Sequence, residues 1–336
     1  MSNIIDTEKM SAHLRSKGID LENRKILITQ FKGSLQENDL TEPTNCNGYG
    51  RIRHFKLGTG ANWPQNPLPI VPAQKKLHLP DLQMIRAQVF QNAVCNWRCW
   101  YCFVDYSLLS GDKKHADYFT CDELTALYLD QPDPPPMIDL TGGQPDLTPE
   151  WIPWMMEALE KKGLEEKVFL WSDDNLSNDY FWRFLTPAQI DTICNYKYYS
   201  RVCCFKGIDE KSFELNTKAD PKLYANQFEL FNRLTGLGID LYAYVTLTAT
   251  TDTDFERAIP EFMDRLQRIA DNLPLRAVPL EIVEFSPVLN RMNDTFYNMA
   301  EGQYNAIKIW NREIEKRFPA ALREQSIADI ELKRNG

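Results

Sequence analysis

A chain of 336 residues, 43% of them hydrophobic, is long enough for one large α/β domain or two ordinary ones and can bury a sizeable core. No run approaches eighteen apolar residues and the N-terminus carries no apolar signal core, so the expectation is a soluble cytoplasmic protein with no membrane partner. The net charge of −9 is uneven: residues 1–120 hold 15 Lys and Arg against 11 Asp and Glu, the remainder 23 against 36. An acidic body of that kind gives no strong nucleic-acid signal.

Residues 1–82 differ in character from the rest of the chain. They contain one helix at about 7–18 and two short strands, "KILITQF" (25–31) and "GRIRHFKL" (50–57). A Pro/Asn/Gly-rich stretch, "GTGANWPQNPLPIVPAQ", then reads as an ordered but irregular surface segment. Between Pro43 and Pro80 there is no acidic residue, while Arg51, Arg53, Lys56, Lys75 and Lys76 lie there. Such a stretch suits an anionic substrate and a position over an active-site mouth.

From residue 84 a regular alternation begins. Short apolar runs read as buried parallel strands, each followed by a helix with a start signal. "MIRAQVFQ" (84–91) is the first strand, and Thr120 with Glu123 opens a helix over about 121–130 as a capping box. "MIDLTGG" (137–143) is the second, followed by a helix with Thr148 as N-cap and Pro149 at N1. "KVFLWS" (167–172) precedes helical sequence around Thr186. "YYSRVCCF" (198–205) precedes a helix from near Asp220 to near Gly236. "IDLYAYVTLT" (239–248) precedes a helix capped by Thr253 with Glu256, and "AVPLEIVEF" (277–285) precedes a last helix from about Asp294 to Arg317. Six consecutive βα units curl into a barrel or lie as an open doubly wound sheet, with the ligand site at the carboxyl ends of the strands either way. No GxGxxG turn follows the first strand, which favours an incomplete barrel of six strands.

The chemistry-bearing stretch is "CNWRCWYC", Cys95–Cys102, directly after the first strand. Three thiolates at gaps of three and two are one short of a closed metal site. Iron–sulfur cubanes take thiolate ligands, normally four, so three leave one iron with an open position. The alternatives are zinc, which wants a fourth ligand in a structural role, and three buried thiols without a cofactor. Eight cysteines at irregular spacing do not make a small disulfide scaffold in a chain this long. Cys203 and Cys204 are adjacent on a strand and point to opposite faces, and no cysteine lies beyond 204, so a single cluster is expected.

CxxxCxxC with an aromatic before the last Cys, after the first of six βα units, resembles the radical S-adenosylmethionine (SAM) superfamily over residues 84–290. The resemblance implies a partial (β/α)6 TIM-like barrel with an N-terminal extension. It implies a [4Fe-4S] cluster on Cys95, Cys99 and Cys102 and SAM as cofactor, chelated at the open iron. SAM is then cleaved to a 5′-deoxyadenosyl radical that abstracts hydrogen from substrate. Gly142-Gly143-Gln144-Pro145 is similar to the family's GGEP, which receives the SAM ammonium group, with Gln in place of Glu. Tyr101 and Phe103 fall where the family packs adenine. Ser172 and Asp174 fall where it meets ribose or substrate. Thr246 is a hydrogen-bonding candidate for SAM, and Lys206 meets the SAM carboxylate if its strand face points inward. Lys206 and Asp174 are carried as the catalytic candidates.

The expected organisation is an N-terminal extension (1–82) with a substrate-covering role, a core (83–290), and a C-terminal helical segment (291–336). The expected substrate is a small molecule, anionic or nucleotide-like, with an electron donor such as flavodoxin or ferredoxin as partner. Two other readings stand beside it. One is an activase or modifier of a protein or peptide, because "FKGID" after the fourth strand echoes glycyl-radical activases. The other is a non-catalytic iron–sulfur protein.

Overall fold

The computed structural model describes residues 4–333. Its strands are β1 (Ile19–Asp20), β2 (Lys25–Thr29), β3 (Gly50–Lys56), β4 (Met84–Gln91), β5 (Ala116–Thr120), β6 (Met137–Thr141), β7 (Phe169–Asp174), β8 (Tyr199–Phe205), β9 (Leu241–Thr246) and β10 (Ala277–Leu280). The helices are α1 (Thr7–Gly18), α2 (Ile70–Leu77), α3 (Cys121–Leu129), α4 (Trp151–Lys161), α5 (Tyr180–Phe184) and α6 (Pro187–Asn195). They continue with α7 (Glu210–Thr217), α8 (Tyr224–Thr235), α9 (Phe255–Ile269), α10 (Ser286–Leu289), α11 (Asp294–Arg317) and α12 (Ala320–Arg323).

Seven strands make one curled sheet in the order β10-β9-β8-β7-β6-β4-β3. The six βα strands pair in parallel in chain order, as a partial TIM-like barrel requires. The seventh, β3, pairs antiparallel with β4, Arg51 opposite Val89 and Arg53 opposite Ala87. A separate three-stranded antiparallel sheet, β1-β2-β5, stands beside it. β5 escapes sequence reading because "ADYFT" runs straight into the capping box of α3 and shows little apolar alternation.

Successive side chains on each strand go to opposite faces. Ile138, Leu140, Leu170, Cys203, Phe205, Ala243 and Val245 join the large core shared with the helices. Met137, Phe169, Trp171, Val202, Tyr242, Tyr244 and Val278 turn the other way, into the barrel. Burying each large apolar side chain in these layers contributes about 1.5–3 kcal/mol. Leu68, Ile70 and Ala73 join the inner cluster beside the residues that begin the strands, so α2 stoppers the amino-terminal end of the barrel.

The N-terminal segment also spans the seam between β10 and β3. Trp63 Nε1 donates to the Pro279 carbonyl at 3.0 Å and the Gly60 N–H to Glu281 Oε2 at 2.8 Å. Asn66 Nδ2 donates to Tyr244 Oη at 3.2 Å, and Asp39 accepts from the N–H and hydroxyl of Ser286.

Helix starts follow local chemistry with three departures. The capping boxes at Thr120 and Thr186 form. Thr148 does not cap α4, because its hydroxyl accepts from Asn92 Nδ2 at 2.9 Å, and the helix begins at Trp151. Asp254, one residue past Thr253, caps α9. A helix unmarked by apolar periodicity, α7, precedes α8; Asp209 and Ser212 close a capping box around its first turn.

Candidate active site at the carboxyl ends of the parallel strands

The three cysteines follow β4 at the carboxyl-end rim of the barrel. Their loop is held by its own carbonyls. Arg98 Nη1 donates to the Cys95 and Trp97 carbonyls at 2.5 and 2.8 Å. Tyr106 Oη donates to those of Arg98 and Cys99, both at 2.9 Å. Arg291, on the turn before α11, reaches the Cys102 and Val104 carbonyls, each at 2.6 Å, and stacks 3.7 Å over the Tyr106 ring. Underneath, the Arg98 N–H donates to the Thr217 carbonyl and Trp100 Nε1 to Asn216 Oδ1, so α7 forms the floor of the loop. The thiols therefore sit on a backbone with few free degrees of freedom.

All eight cysteines are free. Burial raises the Cys95 thiol above its ordinary value and pushes Cys99 up to about 12; the Lys206 ammonium pulls Cys99 the other way. Burial works against the Lys206 charge, and thiolate at Cys204, Cys99 or Cys102 favours it. Among the described residues no trio of His, Cys, Asp or Glu is gathered tightly enough to hold a single metal ion. A cubane differs from a single ion in offering separate irons, each taking one thiolate. An all-sulfur donor set on one fixed loop meets that demand, and three thiolates are one ligand short of a closed structural zinc site.

The Gly142–Gly143 turn at the end of β6 lies against this loop from behind. Gly143 has φ +56°, and a Cβ there would come closer than 3.0 Å to the carbonyl oxygens of Asn92 and Val94; one at Gly142 would meet the Gln91 side chain. Gln144 N–H donates to the Val94 carbonyl at 2.7 Å. Thus glycine is demanded here by the chain's own backbone, immediately before Cys95.

The polar residues singled out from sequence divide into two groups. Gln144, Asp174 and Ser172 are buried on the helix side. Gln144 Nε2 donates to Asp174 Oδ1 at 2.7 Å, and its Oε1 accepts the Asn175 N–H at 3.0 Å. Asp174 Oδ2 accepts from Arg201 at 2.7 Å, and Arg201 also pairs with Asp146; all three are buried. The Ser172 and Tyr199 hydroxyls bond at 2.7 Å. Asn175 Nδ2 lies 3.8 Å from Cys95 Sγ, which links this network to the first cysteine. Pro145 opens the short turn that carries Asp146.

Tyr101, Thr246, Lys206 and Phe103 form the second group, at the inner rim. Tyr101 Oη and Thr246 Oγ1 are 3.2 Å apart, and Lys206 Nζ stands 5.9 Å from the Tyr101 ring centroid. Phe103 meets Phe285 edge-on and lies under the Arg51 and Arg53 guanidinium groups at 5.5 and 5.9 Å. Below them are residues whose grouping sequence reading did not find. Asp139 of β6 is fully buried and neither of its carboxylate oxygens has a hydrogen-bond partner; Arg53 Nη1 is 3.9 Å away. Asp173 of β7 accepts from the Thr141 hydroxyl. The signal existed: Asp139 interrupts the apolar "MIDLT", and Arg51 and Arg53 alternate on one face of β3.

A surface cleft of about 780 Å³ lies elsewhere, between α1, α5 and α8, and none of the motif cysteines lines it. Some of its charges are paired at the surface, Asp6 with Lys9 and Glu8 and Asp179 with Arg183. The chemistry on the cysteine loop, rather than the size of this cleft, marks the candidate site. Among the described residues no helix is long and apolar enough to cross a membrane.

No protein-family model matches the chain, and no curated protein matches it. Among solved structures it is similar to SuiB of Streptococcus suis bound to S-adenosylmethionine, with a TM-score of 0.36 and 16% identity over 53% of this chain and 36% of that one. SuiB bound to the precursor peptide SuiA gives a TM-score of 0.36 and 14% identity over 62% of this chain and 44% of that one. The chain spans less than half the length of the SuiB chains it matches.

Proposed function

We propose that this chain is a radical SAM enzyme acting on a small polar substrate held inside the barrel. The observation that carries the reading is the three-cysteine loop at the carboxyl end of the first parallel strand, with the glycine turn of the second strand pressed against it. Cys95, Cys99 and Cys102 would hold a [4Fe-4S] cluster with one iron left open for SAM. That cluster, when bound and reduced, supplies the electron that cleaves SAM to a hydrogen-abstracting radical; a flavodoxin or ferredoxin is the class of donor required.

The chain's own residues supply the rest. Lys206 favours the thiolate form its neighbours need for ligation, and its ammonium suits the SAM carboxylate. Tyr101, Phe103 and Thr246 form the rim on which an adenosyl group would pack. Gln144 and Asp174 act one step removed, by fixing the turn and, through Asn175, the Cys95 end of the loop, while Ser172 ties β7 to β8 through Tyr199. Trp100 stacks on Phe296 at 5.0 Å and walls the loop from water. The bridged seam closes the side of the barrel, which favours a small substrate over a protein chain.

Anaerobic reconstitution should give about four irons per chain, and each of the three cysteines should be needed for them. Dithionite and SAM should then release 5′-deoxyadenosine. A colourless protein with one zinc per chain, or a full cluster that cleaves no SAM, would overturn the reading. Cys99→Ala should lose the iron and keep its helical content.

A further inference from the structure

The barrel interior holds an ionisable group that its own neighbours do not satisfy. Asp139 is fully buried with both oxygens unpartnered, and Arg51 is buried with Nε unpartnered. The nearest approach between the two kinds of charge is the 3.9 Å from Arg53 Nη1 to Asp139 Oδ2, too long for a hydrogen bond. Buried charged groups are ordinarily paired and hydrogen-bonded, so unfilled bonding capacity of both signs in one place points to a ligand that brings both. Asp173, partly satisfied by Thr141, lies beside them, and Tyr244 Oη, fixed by Asn66 and Leu68, completes the wall.

Arg53 keeps 34% of its side chain exposed, so the group meets solvent at that end, while the aromatic layer of Trp171 and Tyr242 closes the barrel beneath. Arg51 and Arg53 come from the antiparallel strand β3, so the cationic side of the cluster is supplied by the edge strand and the carboxylates by β6 and β7. Two guanidinium groups over Phe103 stand between this place and the cysteine loop.

We propose that this cluster of charges binds an amino-acid-like zwitterion, its ammonium group on Asp139 and Asp173 and its carboxylate on Arg51 and Arg53. The inference rests on the radical SAM reading for its position beneath the cysteine loop, and it names the substrate class of that site. A neutral ligand would leave the charges unanswered. A purely anionic ligand would leave Asp139 bare. A zwitterion answers both.

Binding is measured by calorimetry on the full chain, as purified and after anaerobic reconstitution with SAM. The probes are the twenty proteinogenic L-amino acids, each beside its N-acetyl and C-amide derivatives. At least one free amino acid should bind, with both derivatives weaker by about tenfold or more, since each leaves a buried charge unpaired. Asp139→Asn should erase the preference for the free amine, and Arg51→Met the preference for the free acid; Arg51→Lys should retain the latter in part. No binding by any amino acid to the reconstituted protein, or binding unchanged in both variants, overturns the proposal. Iron content and SAM cleavage are read on the same preparation. Amino-acid binding without iron would sink the enzyme reading alone, and SAM cleavage without amino-acid binding would sink this one alone.

Discussion

Gln144 and Asp174 are locked together: the amide nitrogen donates to the carboxylate at 2.7 Å while the amide oxygen takes the next residue's N–H. An amide can do both; a carboxylate can do only the second. This explains why Gln stands in a turn that otherwise resembles GGEP. Gln144→Glu would face two buried carboxyl groups, one of which must carry a proton. Folding would then take up a proton, so the variant should lose stability as pH rises. Denaturant melts should show a loss of about 3 kcal/mol at pH 8 and less at pH 5. Equal stability of the two proteins at pH 8 would contradict the arrangement.

Arg201 lies fully buried between Asp146 and Asp174. Arg201→Met leaves two carboxylates without their cation and should cost about 3–5 kcal/mol. The effect should reach the cysteine loop, because Asp174 also fixes Gln144, and Asn175 touches Cys95. Reconstituted Arg201→Met should therefore retain less iron than wild type at a temperature where both are folded.

Gly143 and Gly163 make an internal comparison. Both have positive φ, +56° and +63°, but a Cβ at Gly143 collides with two backbone carbonyls and one at Gly163 meets nothing within 4 Å. Gly163→Ala should cost about 1 kcal/mol, the backbone term alone. Gly143→Ala should cost several times that or fail to fold. Similar melting temperatures for the two variants would mean that the turn and the cysteine loop are not in contact.

Arg291 binds the carbonyls of the last motif cysteine, Cys102, and of Val104 and stacks on Tyr106. A lysine cannot make that planar fork. Arg291→Lys and Arg291→Met should both lose iron during gel filtration severalfold faster than wild type, with far-ultraviolet circular dichroism unchanged. Retention equal to wild type would remove Arg291 from the support of the loop.

Burial, and then the neighbouring Asp173, raise the Asp139 carboxyl well above its ordinary value. The folded chain thus keeps a proton there up to a higher pH than the unfolded chain does. Stability from this group is complete below the unfolded pKa and declines as pH rises above it. Asp139→Asn should flatten that decline and, without ligand, raise stability at pH 8 by about 1–3 kcal/mol. A steeper decline in the variant would reverse the sign and count against an unpaired buried acid.

The strand ladder and the cysteine loop were legible because each depends on neighbours in sequence. Apolar runs, capping boxes and the spacing of Cys95, Cys99 and Cys102 are local signals. What could not be read depends on contacts far apart along the chain. Thr148 looks like a cap until Asn92 takes its hydroxyl. Asp174 looks like a free acid until Arg201 and Gln144 surround it. Asp139 looks like a solitary polar residue in an apolar strand until β3 brings Arg51 and Arg53 alongside. The role of β3 itself was hidden, because nothing local says that it joins the sheet it precedes.

Because β3 supplies both the last rung of the sheet and the arginines beside Asp139, removing the leading residues would not yield a smaller working unit. Cutting before Met84 would strip β4 of its antiparallel partner, leaving an unpaired edge that invites strand addition from another molecule. It would also draw the stopper from the base and let water reach an acid that the intact chain keeps dry.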